Sequence, residues 1–573
     1  MINAEIAEAL EETAQLLELQ GANSFRIRAY RNAAHTIADQ SESVAQLALD
    51  DPESLRSLPG IGADISTKII QLIKTGSFPL LLELRQEFPS GLLEMMKLPG
   101  LGAKKASLLY RELKITSLAE LQAAAEAGQI AQVKGFGKKS EQAILAAISE
   151  RESVGQRVLI STARQFAQQI VDDLRKVPGV KQCSEAGSAR RWKETCGDLD
   201  ILVSAEDAVP VMDRLAKHPL VASVLSRGPT KQRVRLVDGI ELDLRVVPEE
   251  SFGAALLYFT GSKEHNVEVR KRAVEQGYRL NEYGLFRGEE SIAGKTEEEI
   301  YQALGLTWIP PELRENRGEI EQSERGEIPK LITLEEMRGD LHMHTTATDG
   351  TASIREMIEA ARERGLDYIA ITDHSQRVSM ARGLDPVRLR AHWAEIRKIR
   401  EEYTDIEVLC GIECDILEDA RMDLPDDVLA EADWVIAVLH YGLKQPGEQI
   451  MKRLLNAIRN PYVCVIGHPS GRLVSRRAGA DIAWGDLFKA AADHGVMMEI
   501  NADPHRLDLN DVHAAAARDM GIPIVISTDA HSQGGLDLMV YGVAQARRAG
   551  LTKKDVANAQ PFAKFKRLLR TSH

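Results

Sequence analysis

Two segments of this chain carry acids at spacings that suit cation chemistry. In Gly187-Ser188-Ala189-Arg190-Arg191, continuing to Gly197-Asp198-Leu199-Asp200, a Gly-Ser turn leads into a strand with alternating aspartates. Side chains two apart on a strand share one face, so Asp198 and Asp200 project together. A later strand-like stretch, Glu241-Leu242-Asp243-Leu244-Arg245, can supply a third carboxylate. Three carboxylates aimed at one point repel one another unless cations lie between them. Two Mg²⁺ ions would fit, one activating an attacking hydroxyl and one neutralising a leaving pyrophosphate. An Asp-x-Asp pair alone is commonly a solvated edge; the Gly-Ser turn and the third aspartate tip the reading towards chemistry.

The second segment is richer in imidazole. Asp340-Leu341-His342-Met343-His344 places two histidines on one face of a strand end, and Asp349 follows. His374, Glu413, His440, His468, Asp529 and His531 come at or just after later apolar runs. A single histidine in such a place is usually structural, but six of them with acids at the same ends read as a metal cluster. Imidazole and carboxylate without thiolate suit Zn²⁺, Mn²⁺ or Fe. Arg472, just past His468, is a candidate phosphate contact or an ordinary surface arginine.

One motif recurs three times: Leu58-Pro59-Gly60-Ile61-Gly62, Leu98-Pro99-Gly100-Leu101-Gly102 and Val133-Lys134-Gly135-Phe136-Gly137. Each opens into a helical stretch. Two glycines around an apolar residue allow a tight turn with outward-pointing backbone N–H groups, which at a helix start can bind phosphate without reading sequence. Lys104, Lys105, Lys138 and Lys139 follow two of the copies.

The elements around these residues divide the chain. At 573 residues it is too long for one core, and usual domain sizes predict about three to five domains. Residues 1–151 read as short helices with Gly-rich turns. Strand-like pieces follow at 182–186, 199–203, 221–225, 234–237 and 241–247. The polar, Pro-punctuated stretch from Trp308 to Pro329 reads as a linker. After Asp340, strands at 368–372, 408–414, 434–439, 463–467, 496–500 and 522–527 alternate with amphipathic helices. That alternation predicts a parallel α/β barrel with its site at the C-terminal strand ends. No apolar run is long enough to span a bilayer and the acidic N-terminus is unlike a signal peptide, so a cytoplasmic protein is expected. Five cysteines without a CxxC pair read as reduced thiols. A net charge of -13 argues against nucleic acid only globally, because DNA contact depends on local basic surface.

With Tyr258-Phe259-Thr260-Gly261-Ser262 and Asn266 added to the Gly-Ser turn and three aspartates, the region from Met1 to Leu306 resembles the family X nucleotidyltransferases of the polymerase beta type. The histidine-rich part, from about Gly339, resembles the polymerase and histidinol phosphatase (PHP) domain, with all nine ligand positions filled. The resemblance implies a multidomain fold: an N-terminal all-α helix-hairpin-helix region, an α+β nucleotidyltransferase core with palm and thumb, and a C-terminal α/β PHP domain built as a distorted βα barrel. The expected divisions are a lyase-like domain at 1–90, helix-hairpin-helix fingers at 91–155, palm at 156–250, thumb at 251–312, linker at 313–337 and PHP domain at 338–573.

It further implies that Asp198 and Asp200 bind two Mg²⁺ ions and that Asp243, also a metal ligand, activates the primer hydroxyl. Gly187, Ser188, Arg191 and Gly197 would meet the triphosphate; Tyr258, Phe259, Gly261 and Asn266 would meet sugar and base. Gly60, Gly62, Gly100, Gly102, Gly135 and Gly137 would hold DNA backbone. In the PHP domain, up to three Mn²⁺ or Zn²⁺ ions are expected. His342, His344, Glu413 and Asp529 would hold one, Glu413 with His440 and His468 a second, and Asp349, His374 and His531 a third. Lys68 falls where the family carries a Schiff-base lysine, which implies 5′-deoxyribose phosphate lyase activity, although Asp64 stands one helical turn away. Glu241 departs from the animal pattern, which has arginine there. The implied enzyme fills short gaps in DNA repair and carries a 3′–5′ exonuclease with abasic-site incision. Its partners are gapped or primed DNA and deoxynucleoside triphosphates, without a membrane, and the protein acts as a monomer. Hydrolysis of pyrophosphate or a small phosphate ester, and a non-catalytic DNA-end scaffold, are the alternatives.

Overall fold

A computed structural model describes residues 3–38, 44–50, 52–58, 60–96, 98, 101–154 and 157–569. The chain forms two compact units, 1–156 and 157–573. Among the described residues no helix is long and apolar enough to cross a membrane.

The first unit is all helical among its described residues. Its core is aliphatic, including Leu10, Leu17, Ile69, Leu72, Leu84, Leu109 and Leu121. The repeats open helices α1 (Ala63–Thr75), α2 (Ala103–Leu113) and α3 (Lys138–Val154). In each, the apolar residue between the glycines turns inward: Ile61, Leu101 and Phe136 are all buried.

In the second unit, after a short strand at 158–159 and a helix at 160–174, comes a five-stranded sheet: β1 (Val180–Glu185), β2 (Asp198–Ala205), β3 (Val221–Arg227), β4 (Lys231–Leu236) and β5 (Glu241–Val247), in the order β1-β2-β5-β4-β3. Strands β2 and β5 are parallel; the other pairs are antiparallel. Leu242, Leu244 and Val246 bury one face of β5, leaving Glu241, Asp243 and Arg245 on the other, as a two-residue period requires. Helices at 252–260 and 263–275 and a small antiparallel sheet at 279–293 follow.

The barrel has seven parallel strands in sequential order: β6 (Gly339–Asp340), β7 (Tyr368–Ile371), β8 (Glu407–Asp415), β9 (Trp434–Val438), β10 (Val465–Ile466), β11 (Met497–Asn501) and β12 (Ile524–Ser527). A bridge between Met343 and Ala530 brings the two ends together. All residues of β7, β9, β10, β11 and β12 are buried, as expected for strands covered on both faces.

The stretch expected as a linker is folded. Arg314 is wholly buried and grips Glu297 with two bonds, Nη1 to Oε1 at 2.6 Å and Nη2 to Oε2 at 2.9 Å. Glu297 also accepts from Arg190 and from Trp308 Nε1 at 3.2 Å. Glu319 meets His265 Nδ1 at 2.7 Å. The polar composition that suggested solvent exposure is therefore a buried ion-pair network. Its partners lie 11 to 107 residues apart, beyond one helical turn or strand period, so no local pattern reveals it.

Candidate active sites

In the palm sheet, Asp200 and Asp243 are register partners on neighbouring parallel strands, as are Asp198 and Glu241. Burial, then the charges of Asp198 and Asp243, pushes the Asp200 carboxyl up to about 7. A centre that raises a carboxylate in this way is short of positive charge, which is the condition a divalent cation relieves. Gly187 sits against it: its φ is +60°, and a Cβ there would lie 2.2 Å from Asp200 Oδ2. The Gly-Ser turn thus needs glycine both for its backbone and for its approach to Asp200.

The remaining predicted contacts of this site gather around the same turn. Ser188 lies in the short helix α4 (Gly187–Arg190). Arg191 donates from Nε to Glu315 at 3.2 Å and from Nη1 to the carbonyl of Thr260, the last residue of α5 (Phe252–Thr260). Gly261 follows with φ +71°, its Cβ position 3.1 Å from Arg191 Nη1. Tyr258 and Phe259 pack edge to face at 5.0 Å, and Asn266 Nδ2 donates to the Tyr258 carbonyl at 2.6 Å. The Cβ position of Gly197 lies 3.1 Å from Arg157 Nη1. One partner went unseen in the sequence. Arg233, opposite Asp243 on β4, binds both its oxygens at 2.9 and 2.6 Å, while Arg235 pairs with Glu241 at 2.9 Å. Arg233 thus holds Asp243 from across the sheet. Only the strand register reveals it.

In the barrel, the nine ligand candidates converge from six of the seven strand ends. Their donor atoms fall into four overlapping groups: His344, Asp349, His374 and His531; His342, Glu413 and His468; His342, His344 and Asp529; His374, Glu413 and His440. His342, His344, His374 and Glu413 each join two groups, and His440 and His468 both approach the same oxygen of Glu413. Glu413 Oε1 lies 2.9 Å from His468 Nε2, 3.3 Å from His440 Nε2 and 3.4 Å from His342 Nε2. His344 Nδ1 and His468 Nδ1 are buried without a hydrogen-bond partner, while His374 Nδ1 and Glu413 Oε2 lie 2.6 Å apart without the geometry of a hydrogen bond. Buried polar atoms are almost always paired; imidazoles and carboxylates crowded this closely, yet poorly bonded to one another, fit a metal cluster.

The electrostatics agree with that fit. Burial, then the neighbouring His374, pushes His344 down to about 4, leaving a neutral imidazole with a free lone pair. Burial works to raise Glu413, but His440, His374 and His342 hold it well below the carboxylate range. The supporting residues escaped the sequence reading. Glu499 on β11 meets His342 Nδ1 at 2.7 Å and accepts from the His468 backbone at 2.7 Å, and Asp415 meets His440 Nδ1 at 3.0 Å. Such partners fix the tautomer of a ligating histidine. The acid in the middle of the otherwise apolar run Met498-Glu499-Ile500 was the available signal. Arg472 does not face the cluster: it binds Glu194, with Nη1 to Oε2 at 3.1 Å, and the carbonyls of Arg506 and Leu507.

In the helical unit, Gly60 and Gly135 have φ of +77° and +98°, whereas Gly62 and Gly102 cap α1 and α2 with extended backbone. A Cβ at Gly62, Gly102 or Gly137 would meet no protein atom within 4 Å. Gly100 lies outside the described residues. Lys68 pairs with Asp64, and its ammonium lies 5.6 Å from the Tyr30 ring centre. Burial lowers its pKa, but Asp64 and Tyr30 outweigh this and raise it above the ordinary lysine value. Arg31 is tied to Glu11 and Glu18.

Comparison with known proteins decides the family. A protein of Bacillus subtilis named DNA polymerase/3′-5′ exonuclease PolX is 40% identical over 564 residues, 98% of each chain. The chain belongs to the family X DNA polymerases that carry a PHP domain. Family profiles agree along its length: a helix-hairpin-helix domain at 1–78, a SAM-like helix-hairpin-helix tandem at 92–150, a DNA polymerase beta thumb at 255–315 and a PHP domain at 340–503. The rat DNA polymerase lambda is 26% identical over 55% of this chain and 56% of its own. A Caldanaerobacter subterraneus protein named Probable phosphatase is 33% identical over 34% of this chain and 75% of its own. This family X polymerase thus joins a nucleotidyltransferase site to a hydrolase site in one compact unit.

Proposed function

We propose that this polymerase fills short gaps in duplex DNA during base excision repair and end processing. Its barrel, on this reading, removes nucleotides 3′ to 5′ and can incise at abasic sites. The observation that carries the first part is the pairing of Asp200 with Asp243 in strand register, with Gly187 pressed against Asp200. Asp198 and Asp200 are assigned to two Mg²⁺ ions, and Asp243 to receiving the primer 3′-hydroxyl. Gly187, Ser188, Arg191 and Gly197 would bind the triphosphate, Tyr258 and Phe259 the sugar and base, and Asn266 the minor-groove edge. The hairpin glycines would admit DNA phosphates to backbone N–H groups, a contact that holds any sequence.

Divalent ions held at the two centres would supply the charge neutralisation of phosphoryl transfer, and in the barrel such an ion would also activate a bound water. The barrel residues would hold that centre, with Glu499 and Asp415 orienting His342 and His440. Mn²⁺ or Zn²⁺ suits this donor set. Hydrolysis of a small phosphate ester is the second reading, favoured by the designation of the Caldanaerobacter relative. Lys68 is better placed as a phosphate-binding cation than as a lyase nucleophile, because Asp64 keeps its amine protonated.

The test is extension and degradation of a primer on gapped duplex, with and without nucleotides, in Mg²⁺ and Mn²⁺. Asp243→Ala should lose addition and keep degradation. Extension at near wild-type rate by that variant would refute the palm assignment, and a barrel variant that degrades DNA normally would remove the nuclease from the barrel.

A further inference from the structure

The loop from Arg191 to Glu194 follows the Gly187-Ser188 turn, and residues of the barrel domain hold it at each end. Arg548, at the end of α6 (Met539–Arg548) and 5% exposed, donates from Nη1 to the Arg191 carbonyl at 2.7 Å and to Glu315 Oε1 at 3.0 Å. Glu315 accepts from Arg191 Nε at 3.2 Å. One carboxylate thus bridges the two arginines, and the same barrel cation fixes the Arg191 backbone. At the other end, Glu194 accepts from Gln545 Nε2 at 3.1 Å and from Arg472 Nη1 at 3.1 Å. Between them Trp192, at φ +55°, packs edge-on to Tyr541 with ring centres 6.1 Å apart.

The charge balance of this cluster matters. Arg548 Nη2 donates to Asp511 at 2.7 Å, Arg317 Nη1 to the same oxygen at 3.1 Å, and Lys193 Nζ lies 3.7 Å from Glu315. Four cations, Arg191, Arg317, Arg548 and Lys193, face two carboxylates, Glu315 and Asp511. The excess is positive and lies against the turn that is read as receiving a polyanion. Lys193 registers it: burial, then the Arg548 charge, pushes it below the ordinary lysine value. Buried ion networks of this kind lock geometry more than they add stability.

We propose that Glu315 and Arg548 are positioning residues for nucleotidyl transfer, holding the backbone and guanidinium of Arg191 in place for the triphosphate, so that the barrel domain completes the polymerase's nucleotide site. The inference rests on the assignment of Arg191 to the triphosphate. Neither residue touches the reacting atoms. Their effect should therefore enter through Arg191 alone.

The experiment is single-nucleotide gap filling by the full chain, measuring KM for the nucleotide and kcat for Glu315→Gln, Arg548→Lys, Arg191→Gln and the double variant Glu315→Gln/Arg191→Gln. Primer degradation without nucleotides is measured on each preparation as a control for folding. Glu315→Gln and Arg548→Lys are expected to raise KM about tenfold, the cost of one lost charge-assisted hydrogen bond, with a smaller fall in kcat and normal degradation. In the Arg191→Gln background, Glu315→Gln should add nothing. Should Arg548→Lys fail to fold, Glu315→Gln decides alone. An unchanged or lowered KM in Glu315→Gln overturns the inference, as does full additivity with Arg191→Gln. If Arg191→Gln itself leaves KM unaltered, the triphosphate assignment falls too; if only Arg191→Gln raises it, that assignment stands and the positioning role falls.

Discussion

Asp200→Asn should destroy nucleotide addition and yet stabilise the metal-free protein. The Asp200 carboxyl stands at about 7 in the folded chain because burial and two neighbouring aspartates disfavour its charge. In the unfolded chain it returns to about 3.9. The folded value is raised, so the contribution to stability is intact below pH ~4 and is lost as pH climbs to ~7. One pKa unit is about 1.4 kcal/mol, so the full penalty at pH 8 is at most about 4 kcal/mol, and partial solvent screening brings it nearer ~2 kcal/mol. Asparagine keeps the shape beside Gly187 and removes the charge. Melting in EDTA at pH 8 should place Asp200→Asn roughly 2 to 5 °C above wild type, with about a third of the free-energy gap remaining at pH 5. Mg²⁺ should raise wild type more than the variant. A variant no more stable than wild type at pH 8, or a gap that does not grow with pH, would show that the three carboxylates do not converge.

Gly102→Val should fold as wild type, since a Cβ there meets no protein atom, but bind gapped DNA roughly tenfold more weakly at every sequence, with the affinity of both proteins falling steeply with salt; a sequence-dependent loss in binding titrations counts against backbone capture. His344→Ala takes a ligand from two groups at once and should lower primer degradation by at least about a hundredfold, with less metal retained by mass spectrometry; unchanged degradation would place the nuclease elsewhere. Asp64→Asn removes the carboxylate that raises the Lys68 pKa and leaves only Tyr30 to oppose the lowering by burial. Borohydride trapping on an abasic 5′ end at neutral pH should therefore rise over wild type, and equal trapping in Lys68→Ala would exclude Lys68 as the nucleophile.

Much of this molecule is legible along the chain, because periodicity is local. The two-residue period of Asp198-Leu199-Asp200 puts both acids on the open face of β2, and the same period in Glu241–Arg245 leaves Asp243 on the open face of β5. The barrel ligands are readable because buried strands are apolar throughout, so an acid or imidazole at their ends stands out. The Gly-x-Gly repeats announce their turns by composition alone. What a linear pattern cannot contain is the identity of partners distant in sequence. Arg233 reaches Asp243 because β4 lies beside β5 in a particular register, and Glu499 reaches His342 across 157 positions. The stretch after Trp308 reads as solvated because charge usually means exposure, yet Glu297 and His265 bury its charges. Arg472 is drawn from the metal cluster to Glu194 by a contact that exists only once the barrel meets the palm. Sequence determines which face a residue takes within its own element; the packing of elements decides which opposite charge it finds there, since desolvated ions must pair and the nearest partner is set in three dimensions.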